Sequence, residues 1–137
     1  MLLTRESDYA LRILRELADG DMKTVGEICE ESIVPQQFAY KILKKLEHAG
    51  MLVIIRGARG GCKRAENLEA FTLYDVMQAV GDNKDVNACM CPEYECTWKE
   101  KQQRECCVHE KLCQLQRKLD AELKGITLAD LLGPGEV

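Results

Sequence analysis

Apolar side chains between Thr4 and Asp19 return at helical intervals, with Tyr9, Ile13 and Leu17 at i, i+4, i+8 and Ala10 and Leu14 beside them. Arg12, Arg15 and Glu16 occupy the other side, so the segment reads as an amphipathic helix that Gly20 stops. Thr24-Val25-Gly26-Glu27 matches a capping box, in which a hydroxyl and a carboxylate satisfy the free N–H groups of a helix start. A helix of about two turns is expected there, burying Val25, Ile28 and Cys29. After a break at Ser32-Ile33-Val34, Pro35 suits a first helical position because its missing N–H would be unpaired anyway. Phe38, Ile42 and Leu46 then repeat every fourth residue up to Gly50, predicting a third helix with a glycine stop.

The period changes at Met51. Met51 to Ile55 is a short apolar, β-branched run, Gly57-Ala58-Arg59-Gly60-Gly61 is turn-forming, and Cys62 to Ala65 can return as a second strand. Three helices followed by a hairpin make a winged helix-turn-helix, with residues 35–49 as recognition helix and 54–64 as wing. Further on, Leu73, Val76, Met77 and Val80 mark a short helix from Thr72 to about Gly81, and Asp82 to about Cys96 reads as a loop. From about Thr97 or later to Leu123 the helical period returns. Val108, Leu112, Leu115, Leu119 and Leu123 form a seam suited to dimerisation, the alternative being packing on the chain's own domain. The expected fold is therefore mainly α, with a two-stranded wing and a long C-terminal dimerisation helix. Its parts are residues 1–81 for DNA binding, 82–104 as a cysteine-rich sensor loop, and 105–137 as dimerisation helix and C-terminal segment.

A length of 137 residues with 46% apolar content suits one modest core, and 31% charged residues leave no run able to cross a bilayer. The N-terminal stretch has acids where a signal peptide would carry its apolar centre, so a cytoplasmic protein is expected. The net charge of −4 hides a division. Residues 41–64 carry seven bases and one acid, a local +6, while the remainder holds twelve bases against twenty-two acids, or −10. Screening within roughly 10 Å lets such a patch act as a phosphate-binding footprint on an acidic body; a merely solvated charge cluster is the plainer alternative. Gln36, Gln37 and Tyr40 are candidates for reading base edges, and Lys41, Lys44, Arg56, Arg59 and Lys63 for binding phosphate.

Six of the eight cysteines fall within residues 89–113: Cys89, Cys91, Cys96, Cys106, Cys107 and Cys113. In a reducing compartment such a cluster points to metal or redox chemistry rather than to disulfides. With Cys106 set at zero on a helical wheel, His109 lies at about 300° and Cys113 at about 340°, on one side and away from the leucine seam. Thiolates suit iron–sulfur clusters and also zinc, and a metal-free thiol switch uses the same residues. Cys29 and Cys62 read as core filling. No glycine-rich nucleotide loop, catalytic triad or carboxylate pair is present, so an enzyme or electron carrier is the weaker alternative to a regulator. His48, near a helix stop, reads as a helix-end or surface residue.

Leu3-Thr4, Asp8-Tyr9-Ala10-Leu11-Arg12, Ala49-Gly50-Met51-Leu52, Arg56-Gly57 with Gly60-Gly61, and Ile126-Thr127-Leu128 occur in an order that resembles the Rrf-two family of transcriptional regulators, which includes the IscR, NsrR and CymR types. The resemblance spans nearly the whole chain. It implies a homodimeric winged-helix repressor or activator, bound to a near-palindromic operator in double-stranded DNA. It also implies an iron–sulfur cluster, 2Fe–2S or 4Fe–4S, on Cys91, Cys96 and Cys106, with His109 as fourth ligand as in IscR types. Asp8 occupies the position used in NsrR types, and Cys89, Cys107 and Cys113 are further alternatives. The chain departs from the family pattern in its uneven cysteine spacing and in Cys62-Lys63-Arg64, where the wing commonly continues Tyr-x-Leu.

Overall fold

The computed structural model describes residues 1–133; the last four residues of the expected C-terminal segment lie outside the described residues. Helix α1 (Arg5–Glu16) begins at Thr4, whose hydroxyl accepts from the Ser7 N–H, and buries Tyr9, Ala10, Ile13 and Leu14. The capping box at Thr24 and Glu27 opens α2 (Val25–Ser32), which ends on Ile33 in the left-handed conformation. Pro35 stands just before α3 (Gln36–His48), as its cap rather than its first residue. Ala39, Ile42, Leu43 and Leu46 are the residues that α3 buries. Phe38, expected in that stripe, is instead 39% exposed. Its ring leans on Tyr9 at 5.8 Å between centroids, because the smaller Ala39 lets α3 approach the core on the adjacent face.

Strands β1 (Leu52–Ile55) and β2 (Gly61–Arg64) pair antiparallel, with Ile54 opposite Cys62 and Ile55 opposite Gly61. Lys23 adds a bridge on the far side of Cys62, through N···O contacts of 2.9 and 2.7 Å. The tight hairpin turn requires the first of two glycines and this third strand position the second. A Cβ on Gly60 would lie 2.0 Å from the Ile55 carbonyl oxygen, and one on Gly61 would lie 2.7 Å from that of Lys23. Cys62 is fully buried and Cys29 packs at the edge of the same core, as expected, and burial raises both thiol pKa values.

Helix α4 (Leu73–Val80) carries its own capping box and ends on Gly81 at φ +83°. The long helix begins at the later end of the expected range, and a separate short helix precedes it. A short α5 (Thr97–Gln102) stops where Gln103 turns left-handed at φ +50°, and α6 (Cys107–Gly125) starts afresh with Cys106 as its cap. Every residue of the apolar seam, Val108 to Leu123, lies within α6, so the period carries no signal about the polar stretch before it. The loop between α4 and α5 holds a short 3-10 turn at Ala88–Met90.

The seam on α6 divides along its length. Leu123 and Leu119 pack with Leu73, Met77, Tyr74 and Ile126, while Val108 and Leu115 stay exposed. The chain then returns to the first core: Leu73 N donates to Ile126 O at 2.9 Å, Leu128 N donates to Phe71 O at 2.8 Å, and α7 (Leu128–Leu132) buries Leu128 completely.

Replacing Gly60 with Ala should lower unfolding free energy by about 1–3 kcal/mol in urea titrations, since backbone must move to admit the methyl group. Gly26→Ala, inside α2 with its nearest neighbour at 3.9 Å, should be neutral or stabilising by up to about 1 kcal/mol.

Candidate nucleic-acid interface and thiol cluster

The burial pattern of α3 decides what it offers to solvent. With Ala39, Ile42, Leu43 and Leu46 turned inward, Gln36, Gln37, Tyr40, Lys41 and Lys44 all stand exposed. Gln36 Nε2 donates to Tyr40 Oη at 3.2 Å, which pre-orients two of the three candidate base-reading groups. Arg56, Arg59 and Lys63 are exposed on the wing. Among the described residues no ion pair engages Lys44, Arg56, Arg59 or Lys63. Their charge is therefore available to a phosphate backbone.

Three of the seven bases in the patch are partly or wholly committed elsewhere. Lys45 Nζ lies 2.6 Å from Glu6 Oε2 and donates to Val80 O at 2.9 Å, tying α3 to α1 and to the end of α4. Arg64 donates to Ala18 O at 3.0 Å and pairs with Glu69 at 2.9 Å, stapling the base of the wing. Lys41 is shared with Glu6 at 3.3 Å. Glu6 is the residue that sequence reading missed: it sits 35 positions from Lys41, and nothing in the local pattern of α1 marks it as facing α3. The Lys45 hydrogen bond, aided by Lys41, holds the Glu6 carboxyl below its ordinary range.

The cysteines are distributed over three surfaces. Cys89, Cys91, His109 and Cys113 line one cleft of about 390 Å³, together with Met90, Pro92, Tyr94 and Lys99. His109 and Cys113, one turn apart on α6, place Nε2 and Sγ at 3.4 Å. Cys91 Sγ donates to Glu93 Oε2 at 2.8 Å, a contact that raises the thiol pKa and lowers that of the carboxyl. Cys89 Sγ accepts from Asn87 Nδ2 at 3.5 Å. Cys96 belongs to a neighbouring cleft, across the wall made by Tyr94 and Lys99. Cys106 and Cys107 line a third, with Trp98 and Val108.

Cys106 does not share a helical stripe with His109, as the wheel assumed; it is non-helical, and its sulfur accepts from the His109 N–H at 3.3 Å. Asp8 is exposed, pairs with Arg12 at 3.1 Å and lines none of the three cysteine clefts. The structure thus brings together Cys91 and His109 of the expected ligands, and Cys89 and Cys113 of the alternatives. Cys96 and Asp8 lie apart from them, and Cys106 meets His109 only at its backbone N–H. The donor chemistry fits a soft metal or an iron–sulfur cluster, but among the described residues no three His, Cys, Asp or Glu groups converge closely enough to hold a metal ion.

A helix with an outward polar and cationic face, followed by a basic hairpin on an acidic body, defines a winged helix-turn-helix DNA-binding protein. The model of the Rrf2 family, described as iron-dependent transcriptional regulators, matches residues 3–134, and the chain belongs to that family. It is a transcriptional regulator rather than an enzyme. A protein of Aquifex aeolicus described as a candidate HTH-type transcriptional regulator is 28% identical over 134 residues, covering 96% of this chain and 92% of that one. The fold is similar to that of CymR, the global cysteine regulator of B. subtilis, with a TM-score of 0.69 at 21% identity over 96% of both chains. It is also similar to that of T. potens IscR, with a TM-score of 0.62 at 18% identity over 96% of this chain and 86% of that one. No helix among the described residues is long and apolar enough to cross a membrane.

The Glu6 contacts set a pH dependence. A carboxyl whose pKa is lower in the folded than in the unfolded state stabilises the fold above its ordinary value of about 4.5, and that contribution is lost as pH falls through the folded pKa. Glu6→Gln should therefore cost up to about 1 kcal/mol at pH 7. The difference from wild type should close in thermal melts taken progressively below pH 4.5.

Proposed function

We propose that this chain acts as a cytoplasmic homodimer that binds a near-palindromic operator, with the state of residues 89–113, as an iron–sulfur cluster or as redox-active thiols, modulating that binding. The observation that carries the reading is the set of unpaired cations on α3 and the wing, Lys44, Arg56, Arg59 and Lys63, beside Gln36, Gln37 and Tyr40. In an acidic chain, four exposed basic groups with no ion pair among the described residues suit a polyanion. Glutamine amides can pair with adenine edges in the major groove, and the wing cations can hold phosphates.

Dimerisation is supported by the apolar side chains left over on α6. Val108 is 65% and Leu115 is 50% exposed, and Leu112 between them is half-buried, so one face of the helix is unfilled by the chain's own core. A two-fold axis along that face would impose its symmetry on the two half-sites. Thiolate sulfur supports the sensing part of the reading: it is a soft, anionic ligand for iron, and it is also open to oxidation.

Selection of bound duplexes from a random pool tests the whole reading, and an inverted repeat with half-sites about one helical turn apart is the expected product. Arg59→Ala should weaken binding to all duplexes and flatten the dependence on log salt by about one unit; a loss confined to the selected operator would make Arg59 a base-reading residue. Sedimentation at micromolar concentration should give a dimer, and Leu115→Glu a monomer.

A further inference from the structure

We infer that Glu6 is an electrostatic brake on duplex binding, a carboxylate on α1 that competes with DNA phosphates for Lys41 of the recognition helix. The inference rests on the proposal that α3 and the wing face the duplex, and it brings α1 into that contact. Of the five candidate phosphate-binding residues, Lys44, Arg56, Arg59 and Lys63 form no ion pair among the described residues. Lys41 differs: its Nζ lies 3.3 Å from Glu6 Oε1. The other oxygen of the same carboxylate lies 2.6 Å from Lys45 Nζ, one helical turn further along α3. A single anion from another helix thus spans two of the three lysines on α3.

The two limbs of this contact are unequal. Lys45 also donates to Val80 O at 2.9 Å, at the C-terminal end of α4, and its side chain is only 30% exposed. That limb is short and doubly held, and it fixes the carboxylate in place. Lys41 is 62% exposed and has Glu6 as its sole ion-pair partner among the described residues, over the longer distance. An exposed pair of this kind is weak, so a phosphate can displace it without disturbing the core. The Lys45 hydrogen bond, with Lys41 adding to it, holds the Glu6 carboxyl below its ordinary range, and the group is ionised at neutral pH. A phosphate approaching Lys41 therefore meets a fixed negative charge already seated on its cation. The competition is blind to sequence, because the hydrogen bonds and ion pairs of Glu6 go to Lys41 and Lys45 and not to Gln36, Gln37 or Tyr40. Its signature lies in the salt dependence: a carboxylate fixed beside the contact retains a cation near the phosphates, so fewer counterions leave the DNA when Lys41 binds.

Binding of the full-length protein to a mixed-sequence duplex of about 25 base pairs, measured from about 50 to about 200 mM salt, tests the inference. Glu6→Gln should bind about two- to fivefold more tightly than wild type at the low end. It should also steepen the plot of log affinity against log salt by up to about one unit. Glu6→Ala, which removes the same charge without adding an amide, should reproduce both changes, and circular dichroism verifies that each variant is folded. In a Lys41→Gln background the gain from Glu6→Gln should shrink toward nothing, because the contested cation is gone. An undiminished gain there means that the carboxylate repels phosphates at large, and it overturns the competition for Lys41. Weaker binding by the neutral variants, or salt plots parallel to that of wild type, overturns the brake and leaves Glu6 as a structural link between α1 and α3. A shift in one neutral variant but not the other overturns it as well. Wild type that binds no duplex even at about 50 mM salt removes both the operator reading and this one, whereas duplex binding with parallel plots removes the role of Glu6 alone.

Discussion

Helix α1 is enclosed by α2, α3, α4 and α7, and its burial is the constraint on which the rest of the molecule depends. Ile13, Leu14 and Leu17 are completely buried within the main core, against residues such as Ile28, Ile42 and Leu46 from the two following helices and Leu128 from the C-terminal segment. At roughly 1.5–3 kcal/mol for each large aliphatic side chain taken out of water, this cluster dominates over any single polar contact. Because α1 is central, its first turn can reach two other parts of the fold. Asp82, at the root of the cysteine-rich loop, accepts from Thr4 Oγ1 at 2.6 Å and from the fully buried Ser7 hydroxyl. Glu6, one residue before Ser7, holds Lys45 of the recognition helix.

That arrangement joins the root of the cysteine-rich segment to helix α3 through a short polar path. Lys45 donates to Val80 O, two residues before Asp82, so the end of α4, the start of α1 and the recognition helix share one set of hydrogen bonds. The path is physically continuous and has few members. A displacement of residues 82–86 has a mechanical route to α3 that does not pass through the wing.

Electrostatics sorts the basic residues by what surrounds them. Arg64 and Lys45 meet carbonyl oxygens and carboxylates inside the domain and stabilise it, whereas Arg59 and Lys63 at the wing form no ion pair among the described residues. An exposed cation without a partner contributes little to folding and leaves its charge available to a phosphate backbone. The same sorting applies to the thiols. Cys62 is fully buried in the core and Cys29 packs at its edge, and burial raises both thiol pKa values, while the six in residues 89–113 lie outside that core.

The sequence by itself determined the helices of the head, the wing and the family. Those depend on local signals: capping residues at Thr24 and Thr72, glycines at turns, and an apolar period that buries one face whatever lies opposite. It also singled out the exposed cations, because a base-rich stretch in an acidic chain is visible by counting. The partners of Glu6, the internal roles of Lys45 and Arg64, and the break at Gln103 were decided by tertiary structure. Each joins residues far apart in the chain, or turns on a backbone angle that composition does not encode. The grouping of Cys89 and Cys91 with Cys113 is of the same kind: spacing along a loop leaves the direction of each thiol free, and only the packing of that loop against α6 fixes it.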